Sequence, residues 1–100
     1  MISPIEHLNK AFDNRIRLAI MSVLSVRDEA DFNDMKEILG ATDGNLATHV
    51  AVLERNRYLK VKKVFVGKKT RTTYAITDSG RKAFADHVDA LEQVLRGGKK

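Results

Sequence analysis

The sequence predicts an α+β fold that is mostly helical, and three observations carry that expectation. Five apolar stripes recur at i, i+3/i+4 spacing, the pattern of a helix with one buried face. Two strand-like runs, Leu59 to Val66 and Arg71 to Ile76, flank a short turn from Gly67 to Thr70 and read as a two-stranded β-hairpin. Basic side chains gather on that hairpin: eight Lys/Arg and no Asp or Glu lie between Arg55 and Thr77. The net charge is +5, yet the other 77 residues carry ten basic and 13 acidic side chains, a net −3. The excess is therefore local, which suits contact with a polyanion.

The elements follow in order. Ser3-Pro4-Ile5-Glu6 reads as a helix start, with Ser3 as cap, Pro4 at the first helical position and Glu6 completing a capping box. Ile5, Leu8 and Phe12 form its apolar face. Asp13 or Asn14 caps a second helix carrying Ile16, Ile20, Val23 and Leu24. Asp31 caps a third, with Phe32, Met35, Ile38 and Leu39 expected in the core and Gly40 as its stop. Thr42 caps a fourth, 42–56, whose core stripe is Leu46, Val50 and Leu53. Only Gly40-Ala41-Thr42 joins the third helix to the fourth, a link short enough for a helix–turn–helix corner. After the hairpin, Thr77 caps a last helix with Phe84, Val88, Leu91 and Leu95 on one face. It ends at Gly97 and Gly98, and Lys99 and Lys100 are expected to fray. One proline and scattered glycines leave no room for a linker, so 1–100 reads as one domain.

Composition narrows the function. The chain has no cysteine, which excludes disulfides, thiolate metal sites and cysteine nucleophiles and fits the cytoplasm. No apolar run reaches the roughly 18 residues of a membrane span, and the N-terminus lacks a leader pattern. A membrane-surface helix would carry its Lys/Arg on a helix, not a hairpin. No nucleophile–base pair, glycine-rich phosphate loop or paired-carboxylate motif is visible, so neither an enzyme nor a cofactor is expected. Asp86-His87-Val88-Asp89 with Glu92 offers a single imidazole, too little nitrogen for a borderline metal, and reads as a solvated face. His7 has no partner by spacing.

Three helices followed by a basic hairpin describe a winged helix–turn–helix with a two-stranded β-hairpin wing and a C-terminal dimerisation helix. The chain resembles the small winged-helix transcriptional regulators related to the MarR and ArsR families. The likeness rests on Thr42-Asp43-Gly44-Asn45-Leu46-Ala47-Thr48-His49, on Val52-Leu53-Glu54, on Val66-Gly67-Lys68-Lys69-Thr70-Arg71-Thr72, and on Tyr74-Ala75-Ile76-Thr77-Asp78-Ser79-Gly80-Arg81. It covers nearly the whole chain and implies a dimeric double-stranded DNA binder. Thr70 stands where relatives often place proline, which implies a looser wing tip.

Candidate contacts follow from the residue types. Asn45, Thr48, His49 and Val52 share a face opposite the core stripe. Asn45 suits adenine, Thr48 a thymine methyl or a phosphate, and His49 guanine or a phosphate. Thr42 at the helix N-terminus suits a phosphate oxygen, and Gly44 lets a sugar-phosphate strand approach. Asp43 reads as a dipole partner in the first turn rather than a cytosine reader. Lys68, Lys69 and Arg71 on the wing 67–71, with Arg55 and Thr72 beside them, suit phosphates, and Arg71 alternatively a narrow minor groove. Arg15 and Arg17 could touch the DNA backbone, but with Asp13 nearby they are read as a solvated helix face. Ile5, Leu8, Phe12, Phe84, Val88, Leu91 and Leu95 exceed what one small core is expected to bury, so they are assigned to a two-fold homodimer, the alternative being that the first and last helices pack on each other within one monomer. Two rivals stand beside a sequence-specific regulator: a protein-interaction adaptor, and an architectural DNA binder without sequence preference. Any small-molecule effector would bind between helices or at the dimer interface.

Overall fold

The computed structural model describes residues 4–97, so the expected Ser3 cap and the end at Gly98, Lys99 and Lys100 lie outside them. The described chain contains α1 (Arg15–Arg27), β1 (Glu29–Asp31), α2 (Phe32–Leu39), α3 (Asp43–Arg55), β2 (Leu59–Val66), β3 (Lys69–Ile76) and α4 (Asp78–Leu95).

The first expected helix does not form. Pro4–His7 and Lys10–Phe12 are separate 3-10 turns, broken at Asn9. Asparagine competes with the helix for backbone hydrogen bonds, and a segment this short gains little from helix propagation. Asn9 bonds through four polar groups: Oδ1 accepts from the Ala11 N–H at 2.9 Å, Nδ2 donates to the Tyr58 hydroxyl at 3.0 Å, its own N–H donates to His87 Nδ1 at 3.0 Å, and its carbonyl accepts from the Phe12 N–H at 3.0 Å. The break turns Phe12 inward, where it is 2% exposed and meets Phe84 edge-on at 5.6 Å. Phe12 is therefore core, not dimer surface, and Phe84 is half-buried against that core.

The helix–turn–helix follows the sequence closely. Asn14 caps α1 by accepting from the Ile16 and Arg17 amides, Asp31 caps α2 by accepting from Asp34, and Thr42 caps α3 by accepting from Asn45. Gly40 stops α2 at φ +62°. Ile20, Met21, Leu24, Met35, Leu46, Leu53 and Leu59 are fully buried between these helices and the sheet. Ile38 is exposed, contrary to expectation. At 100° per residue it lies about 90° from the centre of the Phe32, Met35 and Leu39 stripe.

The sheet has three strands in the order β1-β3-β2, not two. The extra strand is three residues long and pairs Glu29 with Ala75, Ala30 with Tyr74 and Asp31 with Thr73. The hairpin is longer and its turn tighter than expected. Pairing continues to Val66–Lys69, leaving a two-residue turn at Gly67-Lys68. Gly67 has φ +67° and Lys68 does not share it, as a type II′ turn requires. Leu59 and Val61 of β2, with Tyr74 and Ile76 of β3, close the core.

Thr77 starts α4, its hydroxyl accepting from the Gly80 N–H at 2.9 Å and donating to the Arg57 carbonyl at 2.7 Å. The face that α4 turns inward is Gly80, His87 and Ala90, with Ala83 and Phe84 half-buried beside them. Val88, Leu91 and Leu95 remain exposed. The long axis is 56 Å against 25 and 21 Å across.

His87 is 7% exposed, so the sequence expectation of a solvated face fails at this position. Its ring packs edge-on to Phe12 at 5.2 Å. Burial pushes its pKa down, with Asp13 opposing. Nδ1 must stay unprotonated to accept from Asn9. The unfolded chain therefore binds the proton more readily. Stability should be complete above about pH 6.5 and fall as the pH drops through that value toward the lower folded-state pKa. Thermal melts at pH 7.5 and pH 5.0 check this; the loss at pH 5.0 should shrink in His87→Gln, and an identical loss in that variant would contradict it.

Candidate nucleic-acid interface

The corner between α2 and α3 presents α3 to solvent. Lys36 pairs with Asp43 at 2.7 Å across it, so the Asp43 carboxylate serves the corner itself. Asp43, Gly44, Asn45, Ala47, Thr48, Ala51, Glu54 and Arg55 are exposed along α3. Gly44, Thr48, Ala51 and Arg55 lie closest to the point opposite the core stripe. The Asn45 and Thr48 side chains make no hydrogen bond within the described residues. Thr42 accepts from Asn45 N–H at 3.1 Å and keeps its own proton to donate.

His49 departs from the expected outward face. It is half-buried, and its Nδ1 accepts from Arg17 Nη1 at 3.0 Å, while Arg17 Nε donates to the Ala11 carbonyl at 2.6 Å. A guanidinium can only donate, so the neutral His49 ring carries its proton on Nε2. Burial first, and the Arg17 charge second, push the His49 pKa down. The imidazole thus offers one N–H donor and stays uncharged at neutral pH. Arg17, expected to be solvated, is the residue that orients it. Val52 is half-buried as well.

Arg15, the other cation expected to be merely solvated, borders a groove of about 340 Å³ with Thr42 and Asn45, which brings a positive charge to the N-terminus of α3. No spacing rule relates residue 15 to residue 45, so only the packing of α1 on α3 reveals this neighbour.

On the hairpin, strand alternation puts Lys60, Lys62, Lys69 and Arg71 on one face and Lys63 on the other, with Lys68 in the turn. Arg71 is not a free tip cation: its Nη2 bonds Asp31 Oδ2 at 2.9 Å. Asp31 and Arg71 are diagonal neighbours across β1 and β3, a spacing that supports cross-strand pairs. The Asp31 carboxyl is held below its usual pKa, first by the Asp34 N–H and further by Arg71, against some desolvation. Thr72 is half-buried, while Lys62, Lys63, Lys68 and Lys69 are exposed.

A helix held across a short corner with a polar outward face, followed by a basic antiparallel hairpin, defines a winged helix–turn–helix. Residues 16–95 match the winged helix DNA-binding domain family, and the chain belongs to it. It is 33% identical to an uncharacterised protein of Methanocaldococcus jannaschii over 87 residues, 87% of this chain and 95% of that protein. Among solved structures it is similar to a transcriptional regulator homologue from Pyrococcus horikoshii OT3, with a TM-score of 0.83 and 35% identity over 92% of this chain and 91% of that one. An ArsR family transcriptional regulator shares the fold, with a TM-score of 0.59 and 18% identity over 97% of this chain and 94% of that one. No helix among the described residues is long and apolar enough to cross a membrane.

Proposed function

We propose that the chain is a sequence-specific, homodimeric transcription regulator that reads double-stranded DNA without chemistry on it. The observation that carries this reading is the polar Asn45 and Thr48 on α3, their side chains unengaged among the described residues, beside a hairpin with six Lys/Arg and no acid. α3 enters the major groove, where Asn45 reads a base and the His49 N–H selects an acceptor such as guanine N7 or a phosphate. Thr42, Gly44, Arg15 and Arg55 meet the sugar-phosphate strand. Lys68 and Lys69 hold the flanking backbone, while Arg71 and Thr72 belong to the wing's support. Selection on random duplexes should return a preferred sequence, and Asn45→Ala should flatten it at one base position by about 1–3 kcal/mol. Enrichment of nothing would favour the architectural reading.

Dimerisation rests on Val88, Leu91 and Leu95, a stripe at coiled-coil spacing that the monomer leaves exposed. Leu8 and Ile5 extend that end of the molecule. Two-fold pairing there would present two α3 helices about 34 Å apart, one turn of DNA. Sedimentation at tens of micromolar should show a dimer, and Leu91→Glu/Leu95→Glu a monomer. A monomeric wild type would overturn the assignment.

A further inference from the structure

Two imidazoles on different helices are held by one short segment. His87 of α4 accepts at Nδ1 from the Asn9 N–H, and His49 of α3 accepts at Nδ1 from Arg17 Nη1, both at 3.0 Å. The links between them are continuous. Asn9 Oδ1 accepts from the Ala11 N–H at 2.9 Å, and the Ala11 carbonyl accepts from Arg17 Nε at 2.6 Å. The Lys10–Phe12 turn is thus gripped from both sides, by α4 through His87 and by α1 through Arg17. Phe12 adds packing on the α4 side, edge-on to both Phe84 and His87. Arg17 transmits a shift of the turn because Nε and Nη1 belong to one rigid plane. A hydrogen bond weakens steeply outside its normal distance and angle, so a displacement of about 1 Å at the Ala11 carbonyl would free His49 Nδ1. Among the described residues, Arg17 is the group that bonds the His49 ring. Without it the ring can take either tautomer, and the outward nitrogen can accept as well as donate.

We propose that Asn9 and Arg17 are positioning residues through which α4 sets what His49 recognises: with the chain intact α3 offers a fixed N–H donor there, and with the α4 end released that position loses its discrimination. This rests on the DNA reading above and adds how that reading is regulated. His87 sits beside Val88 of the proposed dimer stripe, so pairing of α4 with a second copy and selection of a base share one hydrogen-bonded chain. The wing's hold on the backbone lies outside the chain.

The test reads the His49 tautomer by nitrogen NMR on the full chain with labelled histidine. At pH 7.5 the wild type should show Nε2 protonated and Nδ1 bare. His87→Leu, which cannot accept from Asn9, should shift His49 to a mixture of tautomers, and His87→Gln, whose amide oxygen can accept, should restore it. Asn9→Ala, at a half-buried site, removes the acceptor for Ala11 and should give the same mixture without emptying the core beside Phe12. In selection from random duplexes of about 30 bp, preference at one base pair should fall about fivefold in Asn9→Ala and in Arg17→Met. The double variant should lose no more than either alone, and the salt slope of Asn9→Ala should match the wild type. A wild-type tautomer in both His87→Leu and Asn9→Ala overturns the coupling and leaves the DNA reading standing. So do a shifted tautomer with unchanged preference, and additive losses in the double variant. Enrichment of no sequence by the wild type overturns both.

Discussion

Replacing Gly80 with alanine should destabilise the protein by about 3 kcal/mol or more, at the upper end of what overpacking costs. A Cβ on Gly80 would collide with the Tyr58 carbonyl oxygen and lie 2.8 Å from its carbon. These are backbone atoms and cannot swing aside like the end of a side chain. The contact is also tied: the Thr77 N–H donates to that same Tyr58 oxygen at 3.1 Å, and the Thr77 hydroxyl spans from the Arg57 carbonyl to the Gly80 amide. Relief would require moving α4 away from the loop, undoing those bonds. For a domain of this size the melting temperature should fall by roughly 12 °C or more. Gly44→Ala is the matched control. Nothing lies within 4 Å of the point its new methyl group would occupy, so the same substitution in an exposed helix should stabilise by up to about 1 kcal/mol. Circular dichroism melts of the two variants should move in opposite directions. A Gly80→Ala variant within about 1 kcal/mol of the wild type would mean that α4 does not approach this closely.

Removing the two cations nearest the turn, Lys68→Ala/Lys69→Ala, should weaken duplex binding about 50-fold near 0.1 M salt. Each phosphate contact contributes about 0.9 to the salt slope, so the slope should drop by nearly two. The fold should be untouched because both side chains are exposed and pair with nothing among the described residues. Arg71→Ala separates position from charge. Arg71 is engaged with Asp31, so its loss should lower the slope by less than one. Measured by fluorescence titration, an unchanged slope in the double variant would move the DNA contact to another surface.

What is legible in the sequence depends on agreement between local signals. In α3 the Thr42 cap and the Leu46, Val50 and Leu53 stripe point the same way, and the helix forms as read. The β2 bounds are legible for the same reason. Where local signals are partial, tertiary structure decides. β1 is three residues long and exists through its pairing with residues more than forty positions away. Asn9 breaks a helix that the apolar spacing around it favours. In α4 the apolar spacing picks out Phe84, Val88, Leu91 and Leu95. The chain buries a neighbouring face instead, where the small Gly80, Ala83 and Ala90 let backbone approach and His87 finds a donor. Hydrophobicity marks the surface left over; size marks the contact. The candidate interface shows the same division. The basic hairpin and the outward Asn45 and Thr48 are visible as pattern, while the Arg17–His49 and Arg71–Asp31 pairs join residues 32 and 40 positions apart and leave no trace in spacing.

Asp31 ends β1, caps α2 and anchors Arg71 of the hairpin, all with one short side chain and its backbone. The wing is thereby fastened to α2, across whose short corner α3 is held. On the DNA reading proposed above, α3 and the wing would act as the jaws of a fixed caliper, and a duplex would be gauged by whether it can be deformed to fit the gap. Selectivity would then include a mechanical component, set by the stiffness of the DNA between the two contacts.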